Sequence, residues 1–377
     1  MRLIQKQHWQ AGLALVFVLL AVYLLLYNGI RIINDGLYLF DSTESLVRRG
    51  DFSVNLTYDL RPLVDEAGVP VRDGVYEPLQ SILSAPLFWI GQTIPGIGMM
   101  QTTWLFNVLV IPLTAWLLYV GGVYLGYAQD VSVIVALIFG LATFTLHYST
   151  SYFREPLAGL FTLAAFWSAL MVSRVQNPVI PLLWVLASLV ALALTRFAGL
   201  VIVPGIVILL LPGVGAIGRF ARTASGLVVI GLGIIAIIGG VLLMNTDIIP
   251  ERFTVDGIMQ ILQATNWNYV VESVVGHQVS PARSLWLYAP VLVVAVWGMI
   301  WTRQWRFLTA MLVTILLMAI SAGVIHRQVW WAGYAWGPRY LLPIVPAMML
   351  GVLPVVRWLR THPFGRWHVA FGVLIAI

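Results

Sequence analysis

Apolar runs of about twenty residues recur from one end of this chain to the other. Each is long enough to cross the hydrocarbon core of a bilayer, which takes roughly 20 helical residues. No other feature limits the fold as strongly, because in lipid each backbone amide must be satisfied within the structure, and a chain of such runs then becomes a bundle of helices. Charge agrees with this: 10% of the 377 residues are charged and 60% are hydrophobic, whereas a soluble domain carries about a quarter charged residues. The sequence predicts an all-α polytopic membrane protein, one transmembrane domain over 1–377. The first run, "AGLALVFVLLAVYLLLYNGIRII" at 11–33, lacks the small-residue cleavage site of a signal peptide and reads as a retained anchor.

There is no cysteine, which removes disulfides, thiolate metal sites, iron–sulfur clusters and cysteine nucleophiles. The net charge is +6, and Lys6 is the only lysine. In a membrane protein that balance reflects topology. No basic run alternates with aromatics in the way a strand-binding groove requires, so nucleic acid is not an expected partner.

Spans are expected near 11–33, 104–126, 131–147, 156–173, 179–195, 198–213, 224–244, 284–302, 307–325, 340–359 and from 367 onward, about 11 in all. The run 79–97 is broken by Pro86 and Pro95 and reads as an interfacial or re-entrant helix. With a cytoplasmic N-terminus, the cytoplasmic connections then hold Arg174, Arg219, Arg222, Arg303, Arg306, Arg357, Arg360 and Arg366, as the positive-inside rule requires. Two long outer loops result, 34–103 and 245–283, and the first holds nine of the fifteen acids. The chain stops inside the apolar stretch "HVAFGVLIAI", which suggests a truncated or naturally short sequence.

The first loop opens with "NDGLYLFDSTESLVRRGD". Wound as a helix, 37–49 is amphipathic, with Asp41, Glu44, Ser45, Arg48 and Arg49 on a solvated arc, and Gly50 ends it. Asp35 lies at the hinge between the first span and this helix. It reads either as a charge favoured by the helix dipole or as a functional carboxylate. "YEPLQSILSAPLFW" from Tyr76 reads as a membrane-anchoring element, and "NLT" at Asn55–Thr57 matches a glycosylation sequon. In "HYSTSYFREPLAGLF", Glu155 precedes Pro156 in a helical first turn. A carboxylate at a membrane edge is costly without a partner, so Glu155 is a functional candidate, the alternative being a local pair with Arg154. Arg196 ends the fifth span and either snorkels or meets a lipid phosphate. His277, Arg283 and Tyr288 are possible acceptor or phosphate contacts. In "HRQVWWAGYAWGPRYLLP" the aromatics Trp330, Trp331, Tyr334, Trp336 and Tyr340 form a belt. Such a belt does not explain His326, Arg327 and Arg339, and the planar fork of arginine suits phosphate.

Taken together these stretches resemble a known family. The order of one span, an acid, an aromatic, an amphipathic helix ending "GD" and a later Pro-Leu interfacial helix resembles the GT-C superfamily of membrane glycosyltransferases. "DGLYLFDSTESLVRRGDF", "YEPLQSILSAPLF" and "SYFREPLAGLFTLAAFW" are similar to its first-loop motif, second surface helix and second-loop acidic motif. "SPARSLWLYAPVL" and "WGPRYLLPIVP" resemble bacterial dolichyl-phosphate-mannose–protein mannosyltransferase-like and aminoarabinose transferase-like proteins. The resemblance implies a GT-C-like bundle of about 11 transmembrane helices, with interfacial helices in the first outer loop, in a bacterial inner membrane. It implies Asp35 as catalytic base and Glu155 as the acid that helps hold a divalent metal or the acceptor. The family often has two adjacent acids where this chain has Asp35-Gly36.

The expected reaction is inverting transfer of a sugar from a polyprenyl-phosphate donor to a hydroxyl on a protein, lipid or glycan, at the outer face among membrane lipids. One base suffices because an activated phosphate leaves without protonation. Asp35 and Glu155 are the expected catalytic pair. Arg339, Arg196, Arg327, Arg154, His326, Tyr340 and Arg283 are expected to contact phosphate or substrate, and Glu155 is a candidate ligand for Mg²⁺ or Mn²⁺. The rival readings are a transporter or flippase of lipid-linked sugars, which would place charges at mid-membrane on broken helices, and a non-catalytic assembly subunit.

Overall fold

The computed structural model describes residues 6–29, 34–54, 76–213, 255–333 and 335–376, with Gly215, Gly218 and Gly231. The expected span 224–244, Arg219, Arg222, the Asn55–Thr57 sequon, the loop acids Asp59, Asp65, Glu66 and Asp73, and Tyr334 lie outside the described residues. Within them the chain is helical throughout. The first helix, α1 (Lys6–Leu26), carries Leu15, Leu19 and Tyr23 every fourth residue, a buried stripe on an otherwise largely exposed apolar rod. After it come α2 (Asn34–Arg49), α3 (Leu79–Thr93), α4 (Met99–Trp104) and α5 (Phe106–Tyr124). The stripe of α1 packs on α5 and on α6 (Gln129–Leu141), where the Tyr23 hydroxyl donates to the Gly140 carbonyl at 2.8 Å. A short turn, α7 (Thr145–Tyr148), leads to the hairpin of α8 (Glu155–Val172) and α9 (Val179–Thr195). A 3₁₀ segment, Phe197–Ile202, runs into α10 (Val203–Leu210).

The second half opens with α11 (Val255–Gln263) and α12 (Trp267–Val279). The expected span 284–302 is interrupted at Ala289 and divides into α13 (Leu285–Tyr288) and α14 (Val291–Trp301). The longest helix, α15 (Trp305–His326), packs along α12 and α10. A 3₁₀ turn over Arg339–Ile344 then continues through α16 (Val345–Met348) into α17 (Leu353–Thr361), and α18 (Arg366–Ala376) follows. Among the described residues five segments are long and apolar enough to cross a membrane: His8–Leu26, Met99–Tyr124, Glu155–Val172, Trp305–Val329 and Arg339–Thr361. Four shorter apolar helices accompany them, so the described residues do not establish the count of about 11. Arg339–Thr361 is the innermost, with 89% of its apolar window buried. Its backbone is approached by α14 so closely that a Cβ on Gly298 would lie 2.2 Å from the Gly351 carbonyl oxygen.

One expectation fails in an informative way. The sequence places Asp41 on a wet arc of α2, but Asp41 is 2% exposed and Ser42, Thr43 and Ser45 are buried with it. The chain just after α2 folds back on its polar arc, where the Ser45 hydroxyl donates to the Ser53 carbonyl and Val54 is buried, while the apolar arc meets α3 and the segment before α8. Phe40 packs on Phe88 and Trp104, and Thr43 and Ser84 hydrogen-bond the Tyr152 hydroxyl. Glu44 and Arg48 remain on the outside as an i,i+4 ion pair.

Candidate active site

Five chain segments that end or begin helices meet at one end of the bundle: the start of α2, the Tyr76-Glu77 dipeptide before α3, Phe153–Glu155 before α8, Arg196-Phe197 after α9, and Arg339 at the head of the innermost segment. Each brings a charge that the adjoining apolar helix cannot carry at mid-membrane depth without a partner. They satisfy one another. Arg339, 8% exposed, places Nη1 2.6 Å from Asp35 Oδ2 and Nε 3.3 Å from Glu155 Oε1. The Nε contact is an ion pair without hydrogen-bond alignment. Arg196 Nη1 donates to the same Glu155 oxygen at 3.1 Å. The Arg339 guanidinium lies 4.5 Å from the Phe153 ring centroid and 5.1 Å from that of Tyr340, and Arg196 lies 5.0 Å from Tyr340.

A second layer sits behind the first. Arg154 pairs with Glu77, whose Oε1 accepts the Phe197 backbone N–H at 2.6 Å. The Arg154 guanidinium also lies 4.1 Å from the Tyr76 ring centroid, and the Tyr76 hydroxyl donates to Asp35 Oδ1 at 2.9 Å. Among the three carboxylate side chains, Glu77 is 2% exposed, Glu155 4% and Asp35 29%. Asp35 is thus the one a second molecule can reach. Burial opposes its ionisation, but the charge of Arg339, the hydrogen bonds from Tyr76 and Arg339, and the charge of Arg154 outweigh burial and hold the carboxyl below its ordinary value of 3.8. The Tyr76 phenol is pushed well above 10 by burial and by Asp35, so it stays a donor.

Of the residues singled out in the sequence, Asp35, Glu155, Arg196, Arg339 and Tyr340 come together, with Arg154 in the layer behind. Glu155 does not form the local pair with Arg154 that its position allows; its partners are Arg196 and Arg339. His326 stacks on Tyr340, centroids 4.2 Å apart at 5°. With Arg196 it borders a narrow cleft of about 20 Å³ that is also lined by Tyr340, Ser321 and the apolar Val201, Met318 and Pro343. Arg327 is exposed beyond the end of α15 and makes no contact with the cluster's carboxylates. The Arg283 guanidinium faces carbonyls rather than the cluster's carboxylates, donating to Gly333 (2.7 Å), Gly337 (3.0 Å) and Ala335. It staples the loop that aims Arg339, helped by the Tyr148 hydroxyl on the Trp336 carbonyl at 2.6 Å. His277 is 1% exposed and hydrogen-bonded at Nδ1 to the Ser273 carbonyl; burial lowers its pKa to about 4, so it is a neutral core group.

Tyr76 and Glu77 were missed as site residues. The available signal was a lone acid at the head of the apolar run "EPLQSILSAPLFW", which the cost of burying a carboxylate flags by itself.

A divalent cation does not fit this donor set. Asp35 and Glu155 each have an arginine at ion-pair distance, with Arg339 between them, and no three His, Asp or Glu side chains converge among the described residues. A second acid beside Asp35, at Gly36, would have to displace the Trp104 ring, which a Cβ there would meet at 3.2 Å.

No protein-family model matches the sequence, and no curated protein matches it. Solved structures do. The chain superposes on the apo crystal structure of the Archaeoglobus fulgidus oligosaccharyltransferase with a TM-score of 0.51 at 12% identity, covering 99% of this chain and 54% of that one. It superposes on the archaeal oligosaccharyltransferase AglB from Archaeoglobus fulgidus, in complex with an inhibitory peptide and a dolichol-phosphate, with a TM-score of 0.50 at 13% identity, covering 98% and 54%. The chain therefore spans about half the length of the structures it matches. At this identity the likeness is one of fold alone, shared with the matched half of the archaeal oligosaccharyltransferase.

Proposed function

We propose that the protein is a GT-C glycosyltransferase that moves a sugar from a polyprenyl-phosphate donor to an acceptor hydroxyl, with inversion. The carrying observation is Asp35: a partly accessible carboxylate held in its ionised form and paired with buried Arg339, which shares Glu155 with buried Arg196. In the proposed step Asp35 takes the acceptor's hydroxyl proton as its oxygen attacks the anomeric carbon. The bond from that carbon to the phosphate oxygen breaks, and its electron pair leaves with the polyprenyl phosphate. Arg339 and Arg196 meet the charge that develops there, an electrostatic contribution that is large in a water-poor site. Glu155 holds the two guanidiniums apart and correctly turned. Arg196 and His326 also border a narrow cleft of about 20 Å³ beside the cluster, which places a second cationic side chain next to Arg339 but has no room for a lipid in this conformation.

The finer reading belongs to the same proposal: about 11 spans, a cytoplasmic N-terminus, a site on the outer face of a bacterial inner membrane, and a mannosyltransferase-like or aminoarabinose transferase-like specificity toward a protein, lipid or glycan. The dolichol-phosphate and peptide bound to the archaeal oligosaccharyltransferase support a lipid-phosphate donor and a protein acceptor. No step is assigned to Mg²⁺ or Mn²⁺. The test is transfer by the purified chain in lipid nanodiscs from synthetic polyprenyl-phosphate sugars, with and without a chelator. Asp35→Asn should lose turnover by about 10²-fold or more. A well-folded Asp35→Asn variant that turns over normally removes Asp35 as the base.

A further inference from the structure

Tyr76 precedes Glu77, and Glu77 is fixed twice, by Arg154 and by the Phe197 backbone N–H. The peptide at Tyr76-Glu77 is thus tied to the head of α8 and to the break after α9. The ring of Tyr76 is held on two sides as well: the Arg154 guanidinium lies 4.1 Å from its centroid, and Tyr38 meets it at 6.5 Å and 63°. So held, its hydroxyl is directed at Asp35 Oδ1 at 2.9 Å. A cation against the ring face also draws electron density from the phenol and strengthens it as a donor.

We propose that Tyr76 is the positioning residue of Asp35: it fixes one carboxylate oxygen so that Asp35 keeps its orientation while Arg339 engages the donor phosphate. The inference rests on Asp35 being the base. Its logic lies in the division of labour between the two oxygens. Oδ2 is held by Arg339, a group that the proposed reaction asks to attend to a second anion. Oδ1 is held by a neutral hydroxyl with no such second duty. If Arg339 turns toward the phosphate, Tyr76 is what prevents the carboxylate from rotating away from the acceptor. Such a role affects turnover rather than donor binding. The charged and titratable groups facing Asp35 are Arg339 and Tyr340 from the innermost segment, Tyr76 from the stretch before α3, and Arg154 before α8, with Glu155 beyond Arg339.

The test uses the full chain in lipid nanodiscs and two readouts. Infrared difference spectra across a pH titration report Asp35 protonation, assigned by the band that Asp35→Asn removes. Tyr76→Phe keeps the ring on Arg154 and deletes the hydroxyl; the Asp35 midpoint should rise by about one pH unit, because a hydrogen bond to the charged form is lost. Incorporating 3-fluorotyrosine at position 76 changes no shape that matters, makes the phenol a stronger donor, and should move the midpoint down. With synthetic polyprenyl-phosphate mannose as donor, Tyr76→Phe should lower kcat about tenfold while the donor KM stays within twofold. A midpoint unmoved by both substitutions overturns the proposal, as does a loss confined to KM. Turnover that survives Asp35→Asn instead overturns the base assignment, so the two readings fail separately.

Discussion

At the scale of single residues, the site turns on how one guanidinium is shared. Arg339 faces Asp35 with one nitrogen and Glu155 with another, a division that depends on the planar fork of arginine. Lysine in its place keeps the charge as a single point and serves one carboxylate at a time. We expect Arg339→Lys to fold with a slightly lowered Tm and to lose at least about tenfold in kcat/KM, read by thermal unfolding and transfer assay. Arg339→Ala should cost about 3 kcal/mol of stability, because Asp35 loses its ion-pair partner and buried Glu155 keeps only Arg196 of its two. Asp35 also sets a pH expectation. Its carboxyl is held below 3.8, so it is ionised at neutral pH and remains so until the pH falls through that lowered value. Stability from the Asp35–Arg339 pair is present above the unfolded-state value and lost below the folded one. A kcat/KM profile should therefore show no acid limb from Asp35 between about pH 5 and 8.

At the scale of elements, the working parts are the ends of helices and the loops that aim them. Arg283 holds three carbonyls of the 333–337 loop, and Gly337, at φ +64°, turns the chain into the segment that begins with Arg339. Arg283→Met preserves much of the side-chain volume and removes the staple. It should leave the protein folded, with a Tm lowered by a few degrees, and reduce kcat about tenfold, because the loop no longer fixes Arg339. The same element explains what could be read in advance. Asp35, Glu155, Arg196 and Arg339 were legible because each is a charge at the end of an apolar run, where burial without a partner is costly. Their partners were not, because the pairs join residues far apart in sequence: Arg154 with Glu77, Arg339 with Asp35 across 304 positions. Arg283 carries the same residue type as Arg196 and differs only in facing carbonyls. The burial of Asp41 and Ser45 was not legible because helical periodicity ranks the faces of one helix and cannot tell that the chain after it folds back onto the polar arc, as at Ser45 and Ser53.

At the scale of the whole molecule, the described residues gather their buried ion pairs at one end of the bundle, leave pairs such as Arg360–Asp130 exposed, and present apolar flanks with Phe17, Leu25, Trp184 and Leu316 among the exposed side chains. The proposed topology follows from arginine placement and is open to direct measurement. The chain has no cysteine, so a single introduced thiol reports its own side of the membrane without background. Gln328→Cys and Thr93→Cys should react with an impermeant maleimide added outside intact cells, and Thr302→Cys only after the cells are opened. The reverse pattern would invert the topology and move the site to the cytoplasmic face.

The pairing at the site has a consequence for charge across a catalytic cycle. Three carboxylates, Asp35, Glu77 and Glu155, stand against three guanidiniums, Arg154, Arg196 and Arg339, so the resting cluster is electroneutral and inexpensive to hold near lipid. In the proposed reaction the donor arrives as a phosphodiester with one negative charge and leaves as a monoester with two. The acceptor's proton, taken by Asp35, gives the cluster one positive charge at the same moment. The added negative charge of the product is thus matched inside the protein, and the match lasts until Asp35 gives up its proton. With its carboxyl held below the ordinary value, Asp35 passes that proton on at neutral pH, so in the proposed reaction release of the proton and of the lipid phosphate together return the cluster to neutrality.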